Sequence, residues 1–225
     1  MINLESLRGR LIVSCQAYPG EPMRDPHTMS QVAQSAVIGG AAAVRVQGLA
    51  DIEQTREAVE VPVIGLWKDG HDGVFITPTL RHALACAKAG AHVVALDGTR
   101  RHRPDALTLQ QTIDGLRAES DALVMADCGS LDDALAAVAA GADLIGTTLA
   151  GYTGEREKTV GPDLELLEQL SAADLGRPII AEGRISTPDQ ARQAMQAGAF
   201  AVVVGTAITH PASITGWFVN AVEAP

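Results

Sequence analysis

Residues 179–209 read IIAEGRISTPDQARQAMQAGAFAVVVGTAIT, and the order of residue types in this stretch decides the fold. The apolar run 179–181 is a short strand that passes directly into Glu182, Gly183 and Arg184. Ser186, Thr187, Pro188 and Asp189 then open a helix, with hydroxyl caps ahead of a first-turn proline. The helix stops at Ala197 and Gly198, and 201–204 is a second strand ending on Gly205 and Thr206. In a (β/α)8 barrel the loops after the last two strands, with the N-terminus of a short extra helix, build a phosphate site. Glycine lets backbone N–H groups approach the anion, and the helix end is electropositive. The expected protein is therefore an α/β barrel enzyme acting on a phosphorylated small molecule.

The rest of the chain repeats the same unit. Strand-like runs at 11–15, 43–46, 63–66, 93–96, 123–126 and 144–146 alternate with helical patterns at 30–38, 51–59, 78–88, 107–119, 131–139 and 162–170, and a last helix is expected over 209–222. The segments GGAAAV from Gly39, AGAHVV from Ala89, AGADLI from Ala140 and AGAFAV from Ala197 are one helix-stop, turn and strand unit, each leading into an even-numbered strand. Eight strand and helix alternations in 225 residues and 23.4 kDa suit one barrel domain spanning 1–225.

Composition narrows the function. Seventeen basic against 27 acidic residues give a net charge of −10, which argues against a general nucleic-acid surface. An acidic protein with an anionic substrate must concentrate its positive charge locally. Three cysteines, Cys15, Cys86 and Cys128, without Cys-x-x-Cys spacing suggest reduced thiols and a cytoplasmic location. No apolar run long enough to span a membrane occurs, and the N-terminus does not read as a signal peptide. The six histidines show no ligand spacing, so a metal site is not expected. The basic tract 100–103 reads as a solvated loop.

Barrel enzymes draw their chemistry from the C-terminal ends of the strands, here Gln16, Arg45, Lys68, Asp97, Asp127, Thr147, Glu182 and Gly205. Lys68 is either a lysine whose pKa falls in a partly dry mouth, making it a usable base, or a solvated loop lysine. Glu182 reads as a catalytic carboxylate rather than a surface partner of Arg184. It stands on a strand opposite that of Lys68, so the two would approach a substrate from different sides. Arg45 is an anion or carbonyl ligand or a structural partner of Asp97 or Asp127, and those two aspartates read as orienters and acceptors for sugar hydroxyls. Trp217, Phe218 and Val219 on the last helix suggest a homodimer interface, the alternative being packing on the barrel wall.

The segments FITPTL from Phe75, ALDGTRRHRP from Ala95, MADCGSLDDAL from Met125, ADLIGTTLAGYTGE from Ala142, AEGRISTPDQA from Ala181 and AVVVGTAITHP from Ala201 are specific in combination. Together with VPVIGLWKDG from Val61 they make the chain resemble the N-acetylmannosamine-6-phosphate 2-epimerase family along nearly its whole length. The resemblance implies a (β/α)8 barrel that interconverts N-acetylmannosamine 6-phosphate and N-acetylglucosamine 6-phosphate in sialic acid catabolism, with no metal or redox cofactor. It implies Lys68 as the acid/base lysine, Glu182 as the second catalytic carboxylate, Arg45 and Asp127 as a substrate-orienting pair, and Gln16 as a sugar contact. It further implies a phosphate clamp of Gly183, Arg184, Gly205 and Thr206. Trp67, the loop 69–73 and Cys128-Gly129 depart from the family's commoner residues. The rival readings are another phosphate-binding barrel, such as a pentose-phosphate epimerase or a thiazole-forming synthase, and a non-catalytic sugar-phosphate sensor.

Overall fold

The computed structural model describes residues 2–223 of the chain. Eight parallel strands close into a barrel in sequence order: β1 (Leu11–Cys15), β2 (Ala43–Gln47), β3 (Val63–Leu66), β4 (Val93–Asp97), β5 (Leu123–Asp127), β6 (Leu144–Gly146), β7 (Ile179–Glu182) and β8 (Ala201–Val204). β8 pairs with β1 through Ile12 opposite Val203, which completes the ring. Helices follow the strands in turn: α1 (Pro26–Ile38), α2 (Leu49–Ala58), α3 (Leu80–Lys88), α4 (Leu109–Glu119), α5 (Leu131–Ala139), α6 (Leu164–Ala172) and α7 (Pro188–Gln196). After β8 come a short helix α8 (Thr206–Thr209) and α9 (Pro211–Glu223).

The four repeated glycine units each end a helix in the same way. Gly40, Gly90, Gly141 and Gly198 sit at φ of 98–102°, in the left-handed region open to glycine. In each unit the glycine N–H and the next residue's N–H turn back onto helix carbonyls, as in Gly198 to Met195 and Ala199 to Ala194, both 3.2 Å. This is the Schellman closure, and it aims the chain straight into the following strand. At the other ends, the side chains of Asp25, Thr79, Thr108, Ser130, Asp163 and Thr187 each accept a first-turn N–H.

These caps explain where the helix starts differ from expectation. α1 begins at Pro26 rather than at 30, because Asp25 caps it and Pro26 fits the first turn. α3, α4 and α6 begin two residues later than expected, immediately after their capping residues. The expected last helix is two, with Pro211 starting α9 after a non-helical His210.

Two apolar layers result. Ile12, Ala43, Ile64, Leu66, Met125 and Ile180 belong to the cluster that fills the barrel. The outward-facing Val13, Val44, Val94, Val124, Ile145 and Val202 pack beneath the helices. Inward positions at the C-terminal end of the barrel switch from apolar to polar: Ser14, Arg45, Asp127 and Glu182 replace the aliphatics of the layers below. That switch leaves the charged groups at the mouth of a close-packed core.

Candidate active site

The mouth of the barrel holds a cavity of about 1080 Å³. Gln16, Arg45, Lys68 and Glu182 line it, as do Gly183, Arg184, Gly205 and Thr206. Eight of the nine expected site residues are thus brought to one place. The ninth, Asp127, lies fully buried just beneath and is not among the lining residues.

Arg45 is the hub. Its Nη1 and Nη2 donate to the two oxygens of Asp127 at 3.0 and 2.6 Å, a fork-to-fork pair that fixes the guanidinium plane. Nη1 also stands 2.9 Å from Glu182 Oε2, but no N–H is aimed at that oxygen, which has no hydrogen-bond partner. Thr148 Oγ1 donates to Asp127 Oδ1 at 2.7 Å, so three donors occupy the Asp127 carboxylate. Asp127 therefore fixes Arg45 from beneath the cavity, with three donors on its carboxylate. Gly146 on the neighbouring strand permits this, since a Cβ there would lie 2.6 Å from Met125 Cε and 3.2 Å from Asp127 Oδ1.

Lys68 extends from the end of β3, and its Nζ donates to Gln16 Oε1 at 3.0 Å. Gln16 Nε2 in turn donates to Ser14 Oγ at 2.8 Å. Burial pulls the Lys68 ammonium below the ordinary lysine range, and the nearby Arg45 charge adds to the effect, against the pull of Glu182 and Asp127. Glu182 moves the other way. Burial and the Asp127 charge raise its carboxyl to about 7, opposed by Arg45, Lys68 and Thr148. Its backbone is held by Thr147, whose Oγ1 accepts from Glu182 N at 3.0 Å and donates to Glu182 O at 2.9 Å. Burial works against the Arg45 charge as well, but its two carboxylates outweigh the loss and keep it protonated.

Two sequence expectations need correction. Asp97 faces inward by register but does not line the cavity: Thr99 N, Thr99 Oγ1 and Arg101 Nη2 bind its carboxylate at 3.0, 2.6 and 2.6 Å. The tract 100–103 is only partly a solvated loop: Arg100 and His102 are exposed, but its arginines are tied to the protein. Arg103 is buried and donates to the Asp97 and Thr77 carbonyls, and Arg100 reaches Asp133 and Glu155.

Arg184 lies on the rim in a left-handed conformation, φ 56°, directly after Gly183 at φ 114°. Its Nε donates to Gly161 O, Nη1 to Ala150 O and Nη2 to Thr159 Oγ1, at 2.7–3.0 Å. The guanidinium thus cross-links the long loop 147–163 and uses three of its five N–H groups there, leaving two. No side chain caps α8, so its first N–H groups, at Thr206 on the cavity wall, remain available.

Sequence reasoning did not identify Tyr18, Tyr152 and His210, which also line the mouth. Their signal was weak because each sits in a loop whose path depends on distant partners. The departures at 67 and 69 lean on each other. Trp67 packs on the buried His82 ring at 4.4 Å, and His82 Nε2 lies 3.1 Å from Asp69 Oδ2. Among the described residues no group of three His, Cys, Asp or Glu side chains could hold a metal ion, and no helix is long and apolar enough to cross a membrane.

A family model described as "Putative N-acetylmannosamine-6-phosphate epimerase" matches residues 29–224. The chain belongs to this family. A Cutibacterium acnes protein named "Putative N-acetylmannosamine-6-phosphate 2-epimerase" is 63% identical over 221 residues, 98% of this chain and 96% of its own length. A Corynebacterium glutamicum protein of the same name is 46% identical over 95% of this chain and 93% of its own length. Among solved structures, the N-acetylmannosamine-6-phosphate 2-epimerase from Clostridium perfringens superimposes with a TM-score of 0.92 at 38% identity, covering 97% of this chain and 95% of that one. A thiamine phosphate pyrophosphorylase from Pyrococcus furiosus, with a TM-score of 0.61 at 20% identity, shares the barrel fold.

Proposed function

We propose that the protein interconverts N-acetylmannosamine 6-phosphate and N-acetylglucosamine 6-phosphate by removing and returning the proton at C2. One observation carries the reading: a lysine and a carboxyl group from opposite strands face one cavity, and burial shifts both toward their neutral forms. In the open-chain sugar the C1 aldehyde acidifies the C2 proton. Neutral Lys68 takes that proton on Nζ, and the C2–H electron pair moves into an enolate with its charge on O1. Arg45, held in place by Asp127, offers the positive charge that stabilises O1. Glu182 returns a proton to C2 from the opposite face, or moves protons at O1 and O5 during ring opening, and Gln16 positions Lys68 and the sugar.

The phosphate is received by the turn at Gly183 and Arg184 and by the start of α8 at Gly205 and Thr206, where free N–H groups and the spare guanidinium donors converge. The protein works as one barrel domain without a metal or redox cofactor, in the cytoplasm, on a small sugar phosphate of amino-sugar and sialic acid catabolism, with no nucleic-acid partner. It forms a homodimer. Supporting this, α9 carries no buried residue and packs chiefly on α8, leaving Phe218 and Val222 69% and 82% exposed.

The test is a proton NMR time course of EDTA-treated protein with N-acetylmannosamine 6-phosphate in heavy water. The expected result is N-acetylglucosamine 6-phosphate with deuterium at C2. In a two-base scheme the product gains label while recovered substrate gains little, whereas one shared base labels or conserves both alike. Ligand broadening without conversion would sink the catalytic reading and favour a sensor.

A further inference from the structure

Lys68 meets an aromatic face that the reaction scheme leaves unused. Its Nζ stands 5.6 Å from the centroid of the Tyr18 ring, within range of a cation–π contact. Tyr18 is half-exposed, and a tyrosine so placed would ordinarily be mobile. Here it is held from several directions. The Tyr18 backbone N–H donates to Glu21 Oε2 at 2.7 Å, and Glu21 Oε1 lies 2.5 Å from His210 Nε2. The His210 ring meets Tyr18 edge-on, centroids 5.6 Å apart at 69°. His210 Nδ1 is fixed by Ser213 Oγ at 2.7 Å. The clasp joins the loop after β1 to the junction of α8 and α9, 189 residues apart in sequence.

We propose that Tyr18, anchored by Glu21 and His210, is a positioning residue for Lys68: its ring face holds the ammonium over the cavity and sets the balance between the charged and neutral amine. The proposal rests on Lys68 being the base, and it adds a control on that base. The charged groups facing Lys68 are Arg45 from β2, Asp127 from β5 and Glu182 from β7. Arg45 and burial favour the free amine, while the two carboxylates and the ring favour the ammonium. Burial, with Glu21 and Tyr152 nearby, raises the Tyr18 phenol, which favours the uncharged ring. The Tyr18 N–H bond, aided by His210, holds the Glu21 carboxyl below the usual range and keeps the anchor ionised.

The chain has three lysines, Lys68, Lys88 and Lys158, so a 13C-lysine NMR titration of the full protein resolves Lys68 once Lys68→Arg assigns its resonance. Tyr18→Leu keeps apolar cover but removes the π-face, and its Lys68 midpoint is expected about 0.5–1 pH unit below wild type. Tyr18→Phe keeps the face and titrates with the wild type. His210→Ala leaves the ring unanchored and moves the midpoint part of the way down; His210→Arg, which can still meet Glu21, restores it. A Tyr18→Leu midpoint at or above wild type, or a Tyr18→Phe shift as large as that of Leu, overturns the proposal, and an unmoved His210→Ala overturns the anchoring. These midpoints need no substrate, so failure of the epimerase reading, seen as absent turnover, stays separate. If both readings hold, the rising limb of kcat/KM with pH moves by the same amount, a readout that a merely structural tyrosine leaves in place.

Discussion

Replacing Glu182 with glutamine should stabilise the protein at pH 8 and lose that advantage as the pH falls. The Glu182 carboxyl is raised from 4.5 to about 7, first by burial and then by Asp127. Between those values the folded chain holds a proton that the unfolded chain has released, so stability declines as pH rises through this window, and the loss is complete above about 7. Between pH 5 and pH 8 the part of this shift that is lost corresponds to on the order of 2–3 kcal/mol. Glutamine has the same shape, cannot ionise and removes this term. For a chain of this size the difference in Tm between Glu182→Gln and wild type should grow by roughly 4–10 °C from pH 5 to pH 8. The assay is paired thermal or urea unfolding at several pH values, with turnover measured alongside. Comparing the two proteins at each pH cancels the titration of all other carboxylates. A difference independent of pH, or a wild type that gains on the variant as pH rises, would refute the reasoning that Glu182 is ionised against its surroundings. Turnover should fall in the variant, so stability and activity move in opposite directions.

Lys68→Ala should lower kcat by about 10²–10⁴ while substrate still binds, measured by steady-state kinetics and calorimetry; wild-type rates would remove Lys68 as the base. Arg184→Ala should raise KM by roughly tenfold or more through weaker phosphate capture, and should make the loop 147–163 a site of limited proteolysis. An unchanged KM with a cleaved loop would leave Arg184 only its loop role. Asp127→Asn breaks a fully buried ion pair and should cost about 3–5 kcal/mol in denaturant unfolding. Phe218→Glu on α9 should yield a monomeric mass by light scattering, and an unchanged mass would remove α9 from the interface.

The barrel was readable because its signals are local. The glycine of each repeat ends a helix through hydrogen bonds that span only a few residues, and the strand it feeds is apolar on both faces. The residues at the strand ends were readable for the same reason: closure of eight parallel strands in sequence order carries Arg45, Lys68, Asp127 and Glu182 to one end. What was hidden depends on partners far along the chain. Arg103 looks solvated until the Thr77 carbonyl is found beside it, Asp97 looks available until Thr99 and Arg101 fill its oxygens, and His210 has no evident task until Glu21 meets it. Arg184 was legible as a rim cation, but its commitment to Ala150, Thr159 and Gly161 was not, because nothing local specifies the path of the loop 147–163.

The charged groups in the mouth are treated differently by their surroundings, and the proposed chemistry rests on that difference. Arg45 and Asp127 meet through two aligned hydrogen bonds, with a third from Thr148, so desolvation is offset and Arg45 keeps its charge. Lys68 and Glu182 are less fully compensated, although Arg45 Nη1 lies 2.9 Å from Glu182 Oε2. The lysine's hydrogen bond goes to a neutral amide, and Glu182 Oε2 has none. A proton moved from Lys68 to Glu182 leaves the proton count of the cluster unchanged, but it replaces two poorly solvated charges with two neutral groups. Burial shifts both pKa values in the direction that favours this exchange. In the proposed reaction a free amine and a protonated carboxyl are the forms that a base and an acid need on either side of C2, and the fixed Arg45 charge would meet the enolate. Both shifts therefore run in the direction that the proposed first step requires.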